Sequence, residues 1–163
     1  MQDIIISYFS NFPKEWAVFF LSMIPVTELR AAIPLGIVKF QMAPLLALFW
    51  AVLGNTLMGT LVVIIVEPIA KLVIEKNRFI HKIWQKYIGR IAMKNKNKFE
   101  RWGSLALITF IAIPLPMTGA FTGAVAASIF EIPVKKVVPV VLAGCLIAGI
   151  IVTMITLGVQ EAV

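Results

Sequence analysis

In the run VTELRAAIPLGI (residues 26–37), Glu28 and Arg30 stand two positions apart in a stretch otherwise as apolar as a membrane span. On insertion scales each such charge costs about 2.5–3.5 kcal/mol at the bilayer centre, so charges placed there pair, line a cavity or do a job. A carboxylate in that setting is a candidate proton-coupling acid, and a guanidinium is a candidate grip for an anionic headgroup. On a helix, positions 28 and 30 point about 200° apart, so the two side chains meet only if the backbone is extended or turned. Thr27 is placed to cap a half-helix that starts here, with Glu28 in its first turn, where the helix dipole favours negative charge. A second stretch, IPLPMTGAFTGAVAA (residues 113–127), carries no charge but offers Thr118 and Thr122 among small residues. Its Gly119 and Gly123, four apart, let two backbones approach closely in lipid. With the prolines that interrupt both stretches, the candidate substrate- or ion-binding set is Glu28, Arg30, Thr27, Pro34, Pro114, Pro116, Thr118, Gly119, Thr122 and Gly123. The plainer alternative is that Glu28 and Arg30 form a structural ion pair.

The elements that must position these residues follow from composition. The 163 residues are 60% hydrophobic and 14% charged, against about half apolar and a quarter charged in soluble domains, and the mean hydropathy is +0.95. The expected class is an all-α integral membrane protein forming a single membrane domain. A spanning helix needs about 20 apolar residues, and residues 43–66 and 137–158 meet that without interruption. Residues 16–26 and 104–115 are each about half a span, and Pro25, Pro34, Pro114 and Pro116 argue against a straight helix through either region. The halves also repeat. Pro25 and Pro114 stand 89 apart, as do Pro44 and Pro133, while Gly54 and Gly144 stand 90 apart, as do Gly59 and Gly149. Repeat one is 12–75, a linker is 76–102, and repeat two is 103–163.

The interrupted segments read as kinked spans or as re-entrant hairpins over 16–38 and 104–130. Hairpins make the repeat inverted, each half being a re-entrant helical hairpin plus one full transmembrane helix. The charge count then places eleven basic residues inside and two outside, against ten and three for kinked spans. The positive-inside rule leans toward hairpins, and broken helices at matching positions of inverted repeats mark the binding site in many secondary transporters. If the loops come from opposite leaflets, they meet near the midplane at Glu28 and Arg30.

The net charge of +7 does not point to nucleic acid, because nine of the fifteen basic residues lie between Lys76 and Arg101. There the apolar residues recur at three- and four-residue steps beside a row of Lys82, Lys86, Arg90 and Lys94. This predicts a basic amphipathic helix over about 79–94, lying on the cytoplasmic surface with those cations among lipid headgroups. Cys145 has no intrachain disulfide partner and reads as core packing. The N-terminus lacks a basic start and a cleavage site, so no removable signal peptide is expected. No metal cluster, nucleophile motif or phosphate-binding glycine loop is visible, so neither an enzyme nor a cofactor is expected.

The segments ELRAAIPLGI (28–37) and AIPLPMTGAFTGA (112–124) resemble the two signature loops of the small multi-drug export protein family, a prokaryotic group similar to the DedA membrane proteins. The resemblance covers essentially the whole chain, with Ala31 and Met117 where glycine is common. It implies a multi-pass protein of the plasma membrane acting as a secondary transporter or lipid translocator, coupled to protons through Glu28 and Arg30. The implied substrates are amphipathic drugs or polyprenyl-phosphate-type lipids, and the partners are membrane lipids, substrate, protons and further copies of the chain. The second loop lacks the arginines of DedA proteins, which weighs against their phosphate-lipid substrate. A membrane-organising protein without transport is the other reading.

Overall fold

The computed structural model describes residues 13–66, 68, 69, 72, 76, 103–114, 119–129 and 132–162. Among these every regular element is helical: α1 (Lys14–Met23), α2 (Glu28–Pro34), α3 (Pro44–Leu61), α4 (Gly103–Ala112), α5 (Ala120–Ile129) and α6 (Val134–Ala162). The expected interfacial helix over 79–94, with Lys82, Lys86, Arg90 and Lys94, lies outside the described residues, as do Pro116 and Thr118.

Pro25 ends α1 one residue early, because its ring disfavours helical backbone at the residue before it. Ile24 accordingly takes φ −73°, ψ 123°. Pro34 does not end α2, contrary to the expected break. The helix runs through it and widens into a π-helical turn over Leu35–Lys39, a local adjustment that absorbs the missing amide proton. That turn ends with Gln41 in the left-handed region at φ 52° and a bond from the Met42 amide to the Gly36 carbonyl at 3.0 Å, one residue wider than the six-to-one closure of an α-helix end, as the π-helical turn requires. Pro44 then starts α3 at a position where its missing donor is harmless.

The half-length helices fold back on each other. A Cβ built on Gly36 would stand 3.0 Å from the side chain of Val18, and one on Gly123 2.6 Å from Ile111. In a continuous helix those pairs would be about 27 and about 18 Å apart at a rise of about 1.5 Å per residue. The midpoints of the two contacts fall at positions 27 and 117, one repeat length apart. Beside each hairpin runs a long apolar helix, α3 or α6. The second begins at 134 rather than the expected 137 and passes through Pro139, whose missing donor leaves only the carbonyl of exposed Lys135 without its helical partner.

Glycines make the close approaches, and they do so in equivalent pairs. Gly54 of α3 lies against the carbonyl of Phe19 and the side chain of Ser22 on α1, and Gly144 of α6 lies against the carbonyl of Ile108 and the side chain of Ile111 on α4. Phe19 and Ile108 stand 89 apart, as do Ser22 and Ile111. Between the halves, Gly59 meets Val141, and Gly149 meets Val52. Each contact maps onto the other when the halves are exchanged, and the reversed order shows that α3 and α6 run antiparallel. The outward faces of both are apolar, with Leu45, Phe49, Leu53 and Leu57 exposed on α3 and Leu146, Ile150 and Met154 on α6. Helices with no water-facing side are what a bilayer requires.

Candidate functional site

The turn after α1 sets the first half of the site. The Glu28 amide donates to the Ile24 carbonyl at 2.9 Å. Thr27 does not cap α2 as the sequence suggested. Its hydroxyl donates back to the Leu21 carbonyl at 2.8 Å and lies 3.4 Å from that of Ile24, so it adds a second donor to carbonyls at the end of α1 and fastens the turn there.

Glu28 opens α2 with φ 47°, in a region that costs a residue with a Cβ roughly 1–2 kcal/mol. This conformation lets Glu28 and Arg30 meet despite being two apart. Arg30 Nη2 lies 3.9 Å from Glu28 Oε2, an ion pair longer than a hydrogen bond. It also turns the carboxylate toward the other half, where Glu28 Oε1 accepts the Phe121 amide proton at 3.3 Å. Phe121 is the second residue of α5, so its amide is one of the first-turn donors without an intrahelical partner. Glu28 thus does for α5, from 93 residues away, what an N-cap does from within, at the end where the dipole favours an anion.

Gly119 gives the carboxylate its seat. Any Cβ there would overlap Glu28, and no glycine among the described residues has positive φ, so space rather than backbone conformation requires glycine here. Gly123 faces Ile111 and serves hairpin packing instead. Pro114, half-buried, follows the end of α4, and half-buried Thr122 sits in the first turn of α5. Pro34 lies within α2 beyond the charged pair.

Glu28 is 5% exposed. Two unit charges about 4 Å apart attract by about 4 kcal/mol at an effective dielectric of about 20, and a hydrogen bond to a charged group adds about 1.5–3 kcal/mol. Placing two charges in the membrane costs about 5–7 kcal/mol on the insertion scale. The terms cancel, so the pair contributes little net stability.

Sequence reasoning missed the middle of the long helices. Asn55 and Cys145, 90 apart, are fully buried at matching positions beside Gly54 and Gly144. Cys145 lies across from Thr56, since the antiparallel register sets Gly59 on Val141 and Gly149 on Val52. The signal available was the polar pair Asn55–Thr56 in an apolar span, read through the repeat offset.

The model of a family described as "Putative small multi-drug export protein" matches residues 28–151, from Glu28 to within α6. The chain belongs to this family. No curated protein and no solved structure matches it. Family membership and the two apolar helices make the chain a membrane protein, and the match covers α2, all of α3, and α6 as far as Ile151.

Proposed function

We propose that this small multi-drug export protein is a proton-coupled secondary transporter of DedA-like architecture in the plasma membrane of a prokaryote. In this reading the hairpins 14–39 and 103–129 are re-entrant, come from opposite leaflets as an inverted repeat, and close on a shared site at Glu28 and Arg30. Antiparallel α3 and α6 and the exchanged glycine contacts support the inversion.

The observation that carries the reading is the bond from Phe121 N–H to Glu28. A carboxylate of one half holds the helix start of the other, so its charge state acts directly on the contact between the halves. Protonation removes the anion that the α5 N-terminus favours and ends its attraction to Arg30, which loosens the junction, and deprotonation restores it. The substrate class is amphipathic drugs, with polyprenyl-phosphate-type lipids second, since residues 103–129 contain no arginine and a phosphate would be gripped by Arg30 alone.

Flux into proteoliposomes under an imposed proton gradient tests this, with amphipathic cations and lipid phosphates as separate arms. Gradient-dependent flux of one class is expected. Arg30→Lys keeps the charge but loses the planar fork, and should weaken an anionic substrate more than a cationic one. Absence of flux for both classes under either gradient polarity contradicts the proposal and favours a membrane-organising role.

A further inference from the structure

Thr56 differs from other threonines on these helices. Thr60, Thr109, Thr153 and Thr156 each donate to the carbonyl four residues back, at 2.7–2.8 Å. That is the ordinary way for a helix to absorb a hydroxyl where no water is at hand. The Val52 carbonyl stands at the same spacing from Thr56, yet Thr56 Oγ1 is buried and makes no hydrogen bond among the described residues. It lies across from Cys145, because the antiparallel register that sets Gly59 on Val141 and Gly149 on Val52 pairs these two positions, and a thiol is too weak a donor and acceptor to satisfy a hydroxyl. A buried polar atom left unmet when a local bond is one rotamer away signals an external partner.

We propose that Thr56 is held off its own helix to bind a water molecule, and that Thr56 and Cys145 together form a hydration site between α3 and α6. The Thr56 hydroxyl and the Cys145 thiol supply two partners, the fewest an internal water needs. The site brings water to the interior of the contact between both long helices. It stands on packing alone and does not require that the protein export anything.

Cys145 is the single cysteine, so its S–H stretch is a unique infrared reporter, assigned by its loss in Cys145→Ala. Proteoliposomes moved into D2O should convert S–H to S–D. Wild type and Thr56→Ser, which keeps the hydroxyl, should exchange at least about tenfold faster than Thr56→Val, which keeps the shape, on the minutes-to-hours scale that hydrogen exchange reads. Equal exchange in wild type and Thr56→Val overturns the site. Should Thr56→Val fail to fold, the other two decide: exchange within about an hour by both supports the site, and slower exchange in either overturns it.

Discussion

The carboxylate of Glu28 rests on the backbone of Gly119 and accepts the amide proton of Phe121, joining two hairpins whose contact points lie 93 residues apart in the chain. The cap, the ion pair and the left-handed backbone at Glu28 all serve this one placement.

Gly119→Ala should therefore act through Glu28. The added methyl cannot coexist with the carboxylate, and overpacking of this kind costs about 1–3 kcal/mol. Glu28→Asp shortens the side chain and should recover part of that loss. Thermal unfolding in detergent of both single variants and the double gives the coupling, and strictly additive effects would separate the two residues.

The repeated glycine contacts predict matched penalties. Gly54→Ala pushes a Cβ onto the Phe19 carbonyl and Gly144→Ala pushes one onto the Ile111 side chain, and each should lower stability by about 1–3 kcal/mol. Gly158, with nothing near its Cβ position, is the control. There alanine should be neutral or stabilise by up to about 1 kcal/mol, the helix-propensity difference. Melting temperatures of the three variants check this.

Because α3 and α6 run antiparallel, Lys39 and Lys135, which precede or open those helices, lie at opposite ends of the bundle. With Cys145 replaced, a cysteine at 39 should label from outside and one at 135 from the cytoplasm. Labelling of both from one side contradicts the inverted arrangement.

Much of the frame is legible in the sequence because prolines and glycines act locally. Pro25 halts α1 wherever it sits, and the 89- and 90-residue spacings reappear as equivalent contacts of Gly54 and Gly144. The site is less legible because it depends on which partner lies nearest after folding. Thr27 reads as a cap until its hydroxyl turns to the carbonyls of Leu21 and Ile24. Pro34 reads as a break until a π-helical turn absorbs it. The reach of Glu28 to Phe121 depends on φ 47° at a glutamate, which no local pattern announces. Thr56 looks like any helical threonine until its hydroxyl is seen to decline the carbonyl behind it.

The central claim is that the charge of Glu28, rather than its shape, controls the junction between the halves. It is tested most directly by measuring proton-driven flux and melting temperature together for Glu28→Gln, Arg30→Gln and the double variant. Glu28→Gln keeps the size and removes the titration, so gradient-driven flux should disappear while the protein still assembles. The double variant should regain stability lost in either single variant, because the ion pair contributes little net stability and each single change removes the attraction while the other charge keeps its desolvation cost. Its flux should stay lost. A double variant that recovers both stability and proton-driven flux would contradict the account and leave Glu28 and Arg30 as packing.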